Sequence, residues 1–123
     1  MANYRFFAIV CLRKGFGRVE FLDDAVEAEF LAVPKDLQAR LVRITDLIES
    51  YGLDNLGMPH VRHLQDKLWE IRGKGKPGIA RALYVAVVGR RVVILRVFVK
   101  KTQKTPPVEI ALALSRMKEI EHG

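Results

Sequence analysis

The sequence predicts an α+β domain, a small antiparallel sheet packed with two helices before it and one after, in the order β-α-α-β-β-β-α. Three observations predict it. Leu37, Leu41, Ile44, Ile48 and Tyr51 recur at steps of four, three, four and three, the signature of one buried helical face. Leu68 to Val99 holds three runs of strand character separated by glycine-bearing turns. Ile110, Ala113, Leu114, Met117 and Ile120 then fall on one face of a final helix.

Taken in order, Met1–Phe16 reads as an N-terminal extension or extra strand, with its apolar run at Phe6–Leu12, and residues 17–123 as one domain. Arg18–Leu22 alternates polar and apolar residues, the period of a half-buried strand. Asp24 and Glu27 have capping-box spacing and open a short helix through Leu31 or Ala32. Pro34 ends that helix or starts the next, because proline is tolerated only in a first turn. Gly52 is placed to terminate the long helix, and a loop with Gly57 and Pro59 follows. Leu68–Gly73 is a strand and Gly73–Gly78 a basic turn. Ala80–Val88 is the next strand, Gly89-Arg90-Arg91 a tight connection, and Val92–Val99 a third strand. This third one is so continuously apolar that both its faces should be covered. Pro106 and Pro107 suit a helix start, with Glu109 near the positive end of the dipole.

A chain of 123 residues, half of them hydrophobic, can bury a real core. No apolar run approaches the ~18 residues of a membrane helix. Arg13 and Lys14 stand where a signal peptide would need small residues, so secretion is not expected. Cys11 is the only cysteine, which excludes an internal disulfide and a zinc cluster and fits a reducing cytoplasm. His60 and His63 are three apart, a spacing that occurs in metal sites. They lie in an expected loop with no third ligand, so no metal or other cofactor is expected.

The formal net charge is +7. No acidic residue occurs from Ile71 to Val108, while Arg72, Lys74, Lys76, Arg81, Arg90, Arg91, Arg96, Lys100, Lys101 and Lys104 all do. Cations without local carboxylates repel one another and call for an external anion, and RNA or DNA is the obvious one. A solvated basic face is the bland alternative.

Arg72 and Arg81 come from neighbouring strands joined by a short turn, so their guanidiniums could lie close and bind a phosphate together. Arg81 is in phase with Leu83, Val85 and Val87, and a charge on a core-facing side needs an anion partner. Lys100 and Lys101 end the third strand pointing to opposite sides, as a phosphate clamp, a proton-transfer group or a blunted strand end. Phe98 is either core or a surface for base stacking, and Tyr84 either a proton carrier or a packed ring; Trp69 reads as core or sheet cover. Gly73, Gly75 and Gly78 with Lys74 and Lys76 form no phosphate-loop motif and read as a flexible basic hairpin turn.

Three segments together resemble a known family: Lys67-Leu-Trp-Glu-Ile-Arg72, Ala80-Arg-Ala-Leu-Tyr84 and Phe98-Val-Lys-Lys-Thr-Gln-Lys-Thr-Pro106. Over about residues 18 to 120 the chain is similar to the phage-derived HigB-like branch of the RelE/ParE toxin superfamily, and the Lys-Lys-Thr-Gln-Lys-Thr-Pro segment is the most specific part. The resemblance implies the compact RelE-like fold and the toxin of a type II toxin–antitoxin pair. It implies a metal-independent endoribonuclease that enters the ribosome and cuts mRNA by attack of a ribose 2′-hydroxyl on the adjacent phosphate. Arg72 and Arg81 would then hold the scissile phosphate, and Lys100 or Lys101 would add charge or move a proton. Phe98 would help hold a base, and Lys74, Lys76 and Lys104 would contact RNA. Several relatives carry a late tyrosine or histidine as proton carrier, whereas here no tyrosine follows Tyr84 and the only late histidine is His122. The implied partners are mRNA, the ribosome and a helix-turn-helix antitoxin, with no membrane. A ParE-like inhibitor of gyrase and a non-enzymatic nucleic-acid-binding module are the competing readings.

Overall fold

The computed structural model describes residues 18–51, 61–87 and 91–122. The expectations for Met1–Phe16, Gly52, the loop at Gly57 and Pro59, His60, and the connection at Gly89 and Arg90 lie outside these residues.

A five-stranded sheet carries the fold: β1 (Arg18–Phe21), β2 (Val61–Gln65), β3 (Leu68–Gly75), β4 (Gly78–Val87) and β5 (Arg91–Lys100). The helices are α1 (Asp24–Leu31) and α2 (Lys35–Tyr51) before β2, and α3 (Pro107–His122) after β5. The strand order is β1-β5-β4-β3-β2. The architecture is the expected α+β one, with two differences. Val61–Gln65 is a strand, antiparallel to β3, where a loop was expected. β1 pairs with β5 in parallel, so the sheet is mostly rather than wholly antiparallel. The basic turn is also tighter than expected, since β3 runs on to Gly75 and only Lys76 and Pro77 cross to β4.

Two side-chain layers sandwich the sheet. On one face Val19, Phe21, Ile71, Ala80, Ala82, Tyr84, Ile94 and Val97 meet Val26 and Phe30 of α1 and Leu37, Leu41, Ile44 and Ile48 of α2. Leu37, Leu41, Ile44 and Ile48 of the expected apolar face of α2 are thus buried. On the other face Leu68, Leu83, Val85, Val93, Leu95 and Phe98 meet Ala113, Ile110, Leu114, Met117 and Ile120 of α3. Sheet coverage on both sides explains why β5 is so apolar.

Local chemistry fixes the joints. The cap of α1 is Asp23, one residue before the expected Asp24, and its Oδ1 accepts from Val26 N at 3.1 Å. Pro34 separates α1 from α2, and the Gln38 amide donates back to the carbonyls of Leu31 (3.2 Å) and Val33 (2.7 Å). Two of the last carbonyls around the α1 terminus are satisfied in this way. Gly73 lets β3 approach α2: a Cβ there would lie 3.1 Å from Arg40 Cβ and 3.5 Å from the Leu41 backbone nitrogen. Gly78 has φ +145°, outside the range an L-residue adopts without strain, so it fits the turn that leads into β4.

Candidate functional site

α3 covers only part of its face of the sheet. Beyond Leu68 and Leu83 the same face carries charge. Strand alternation puts Glu70, Arg72 and Lys74 of β3 in phase with Leu68, and Arg81 and Ile79 of β4 in phase with Leu83. Register then aligns them: Arg72 is directly opposite Arg81, Arg81 opposite Phe98, Arg62 opposite Glu70, and Ile79 opposite Lys100. A β-bulge keeps β5 in this register. Leu83 pairs with Arg96 and Tyr84 with Ile94, so Leu95 is the extra residue and Arg96 stays on the charged face.

Arg81 is the centre of this cluster. Its side chain is fully buried. Its Nη2 donates to the carbonyl of Thr102, while Nε and Nη1 have no hydrogen-bond partner among the described residues. Burial lowers its pKa, with Arg72 and then Arg62 acting the same way, and Glu70 opposes them. The aromatic ring of Phe98 lies 5.9 Å from the Arg81 guanidinium carbon and 5.7 Å from that of Arg96, within cation–π range of both. Arg96 is already paired: its Nε donates to Glu109 at 2.7 Å and its Nη1 meets Glu29 at 3.0 Å, and the Glu109 bond, chiefly, raises its pKa.

Arg72 is held from two sides. Its Nε donates to Glu70 Oε1, and its Nη2 donates to the carbonyl of Gln103. The other oxygen of Glu70 accepts from the hydroxyl of Thr105. Residues 101–105 therefore lie across the arginine pair as a strap between β5 and α3. Lys74 and Lys76 on the hairpin, Lys100 at the end of β5 and Lys101 and Lys104 on the strap are all exposed around it.

The structure brings Arg72, Arg81, Lys74 and Lys100 onto one face, with Lys76, Lys101 and Lys104 on the adjoining hairpin and strap. It does not bring Tyr84. That residue alternates with Ala82 on β4, so its ring sits in the layer under α1 and α2, on the other side of the sheet from Arg81. Its buried hydroxyl has no polar partner among the described residues, and burial raises its pKa. Tyr84 packs; it does not reach the arginines. Phe98 is 7% exposed and belongs to the core of the α3 layer, where it supports the guanidiniums rather than offering a free face. Trp69 is only a partial cover, 38% exposed with its ring centroid 5.0 Å from that of His63.

Sequence reasoning missed Arg62, Glu70 and Thr105. Arg62 fell in a stretch taken as loop. Glu70 stands just outside the acid-free stretch but alternates with Arg72, and that two-residue spacing was the available signal. Nothing local to Thr105 points to its bond, which spans 35 residues.

Chemically, the site is two cross-strand guanidiniums, of which Arg81 has unused donors among the described residues, and a rim of exposed ammonium groups. Such an arrangement binds an oxyanion such as a phosphate. Residues 28–118, from within α1 into α3, match the family described as Phage derived protein Gp49-like (DUF891). The chain belongs to this family. Gp49-like proteins belong to the RelE-like toxins of toxin–antitoxin systems, and an antitoxin partner follows from that membership. The match includes every residue of the site just described. Among curated proteins none matches the chain. No helix among the described residues is long and apolar enough to cross a membrane.

Proposed function

We propose that this Gp49-like protein is a cytoplasmic, HigB-like toxin that cleaves mRNA on the ribosome and is neutralised by a helix-turn-helix antitoxin. The observation that carries this reading is the cross-strand pair of Arg72 and Arg81, the latter buried with two nitrogens unpartnered among the described residues. A buried charge with unused donors is costly unless a ligand completes it.

In the proposed reaction the ribose 2′-oxygen attacks the adjacent phosphorus and the bond from phosphorus to the 5′-oxygen breaks. The products are a 2′,3′-cyclic phosphate and a 5′-hydroxyl. Negative charge grows on the non-bridging oxygens in the transition state. Arg81 and Arg72 face that charge from a preorganised, water-poor surface, where fixed donors act most strongly. The proton of the 2′-hydroxyl leaves to solvent. Lys100, in phase with Arg81 and exposed at the rim, protonates the departing 5′-oxygen. Lys101 and Lys104 on the strap, with Lys74 and Lys76 on the hairpin, hold the neighbouring RNA backbone. No step calls on Tyr84.

Induction of the chain and of Arg81→Ala in bacteria, with mapping of mRNA 5′ ends, tests this. New ends at fixed codon positions in translated messages are expected with the parent chain. Loss of one oxyanion-type donor costs about 10²–10³ in rate, so the cuts should vanish with Arg81→Ala. Growth arrest without cuts would instead favour a gyrase-directed toxin, and neither effect would leave a binding module.

A further inference from the structure

The arginine cluster contains an acid that a purely electrostatic anion site would leave out. Glu70 is fully buried on the same face as Arg72 and Arg81, and it subtracts from the positive charge that would draw a phosphate. Buried carboxylates persist when each oxygen is engaged, and here each is, by a different element. Oε1 accepts from Arg72 Nε on the same strand, and Oε2 accepts from Thr105 in the strap. Thr105 is itself 5% exposed. The strap's other contacts fall on the arginines: the Thr102 carbonyl takes Arg81 Nη2 and the Gln103 carbonyl takes Arg72 Nη2.

We propose that Glu70 and Thr105 are positioning residues for the anion site. Glu70 clamps the Nε edge of Arg72, which leaves its Nη groups directed at the strap. The Thr105 hydroxyl fixes the carboxylate that does the clamping. The carbonyls of Thr102 and Gln103 occupy the places of two anion oxygens, and a phosphate displaces them while Thr105 keeps the strap anchored. This inference rests on reading the arginine pair as a phosphate seat. It adds that the seat is shaped by an acid and a hydroxyl that never touch the ligand. The carbonyls mark where acceptors fit, because a guanidinium donor takes a carbonyl or a phosphate oxygen in the same geometry.

The test uses the purified full chain and a fluorescent single-stranded 2′-O-methyl oligonucleotide, whose blocked 2′-position prevents cleavage. Affinity is read by anisotropy for the parent chain, Arg81→Ala, Thr105→Val, Thr105→Ser and Glu70→Gln. Hydrogen exchange of the Arg72 Nε–H is read by NMR without oligonucleotide. Arg81→Ala should weaken binding at least about tenfold, the loss expected for a charge-assisted donor. Thr105→Val keeps the shape but loses the donor. It should weaken binding on the order of tenfold and speed exchange at Arg72 Nε, with Thr105→Ser restoring both. Should Thr105→Val fail to fold, Glu70→Gln stands in. Its amide can still bridge the two partners but lacks the charge, and faster exchange at Arg72 is expected. If Arg81→Ala binds like the parent, the phosphate seat itself is wrong, and this inference falls with it. If Arg81→Ala weakens binding while Thr105→Val leaves affinity and exchange unchanged, or Thr105→Ser does not rescue, the positioning role alone is overturned.

Discussion

Arg81 and Tyr84 are three residues apart on one strand, and that odd spacing decides what each can do. Side chains alternate across a sheet, so Arg81 faces the charged side and Tyr84 the helical side. Both are almost wholly buried and both carry unpartnered polar atoms among the described residues, yet the consequences differ. The Arg81 nitrogens lie on the charged face, beneath the strap of residues 101–105. The Tyr84 hydroxyl lies beneath two helices, where no polar group among the described residues meets it. Tyr84→Phe should therefore leave the proposed cleavage unchanged and hold or raise stability, by about 1 kcal/mol, because an unsatisfied buried hydroxyl is a cost. Its pH dependence follows from burial, which raises the pKa above the ordinary value of 10.0. Above that pH the unfolded chain loses the tyrosine proton while the folded chain keeps it, so stability falls as pH rises, and below it the contribution is constant. Alkaline unfolding of Tyr84→Phe, followed by circular dichroism, should shift to higher pH. A loss of the proposed cleavage of about a hundredfold at neutral pH would instead make Tyr84 the proton carrier and overturn its role as a packed core ring.

At the scale of elements, Glu29 joins three of them. From α1 it accepts the Val97 backbone N–H of β5 at 3.1 Å, and it meets Arg96 of β5 at 3.0 Å and Arg116 of α3 at 2.8 Å. β1 pairs with β5 only through Ile94, so among the described residues no strand covers the edge at Val97, and a side chain supplies what a strand would. Arg116 covers the next group by donating to the Leu95 carbonyl at 2.8 Å. Glu29→Ala would strand a backbone donor and leave two arginines short of an acid. It should cost about 2 kcal/mol in urea unfolding, less than a deeply buried network because the groups are partly exposed. A change under about 0.5 kcal/mol would mean that water replaces the carboxylate without loss. Elements of this kind also show what the sequence could and could not disclose. The faces of α2 and α3 were legible because five apolar residues each obey one period. β2 was not, because a bulge between His63 and Gln65 breaks the two-residue alternation that marks a strand. The parallel placement of β1 leaves no local mark at all, since it depends on a partner some 70 residues away. Within the site, the arginine pair was readable from a short hairpin, while the Glu70–Thr105 bond required the strap to fold back. Strand parity already set Tyr84 apart from Arg81.

For the whole molecule the question is where its carboxylates are used. Glu20 pairs with Arg91, Glu29 with Arg96 and Arg116, Glu70 with Arg72, and Glu109 with Arg96. Among the described residues the acids that make these ion pairs are spent on arginines, and all but the Glu70–Arg72 pair within β3 tie two elements together. Lys74, Lys76, Lys100, Lys101 and Lys104 have no ion-pair partner among the described residues and surround one face. Among the described residues these five cations thus make one basic face that no acid neutralises. A surface of this kind binds a polyanion by releasing counterions, and each phosphate neutralised on a single strand adds ~0.7 to the slope of log K against log salt. With the two arginines and two or three lysines engaged, the slope for a single-stranded oligonucleotide should be about −3. Lys101→Ala and Lys104→Ala should each reduce its magnitude by about 0.7 without changing sequence preference, since phosphate contacts position but do not specify. On the proposed reaction, Arg81→Ala should lower the slope by a similar amount yet remove cleavage altogether, because its charge would act on the reacting phosphate while Lys101 and Lys104 would hold its neighbours. Anisotropy titrations across a range of potassium chloride concentrations separate these effects. A slope near zero in the parent chain would mean that the basic face meets water and not RNA, and an acidic protein would then be the partner to look for.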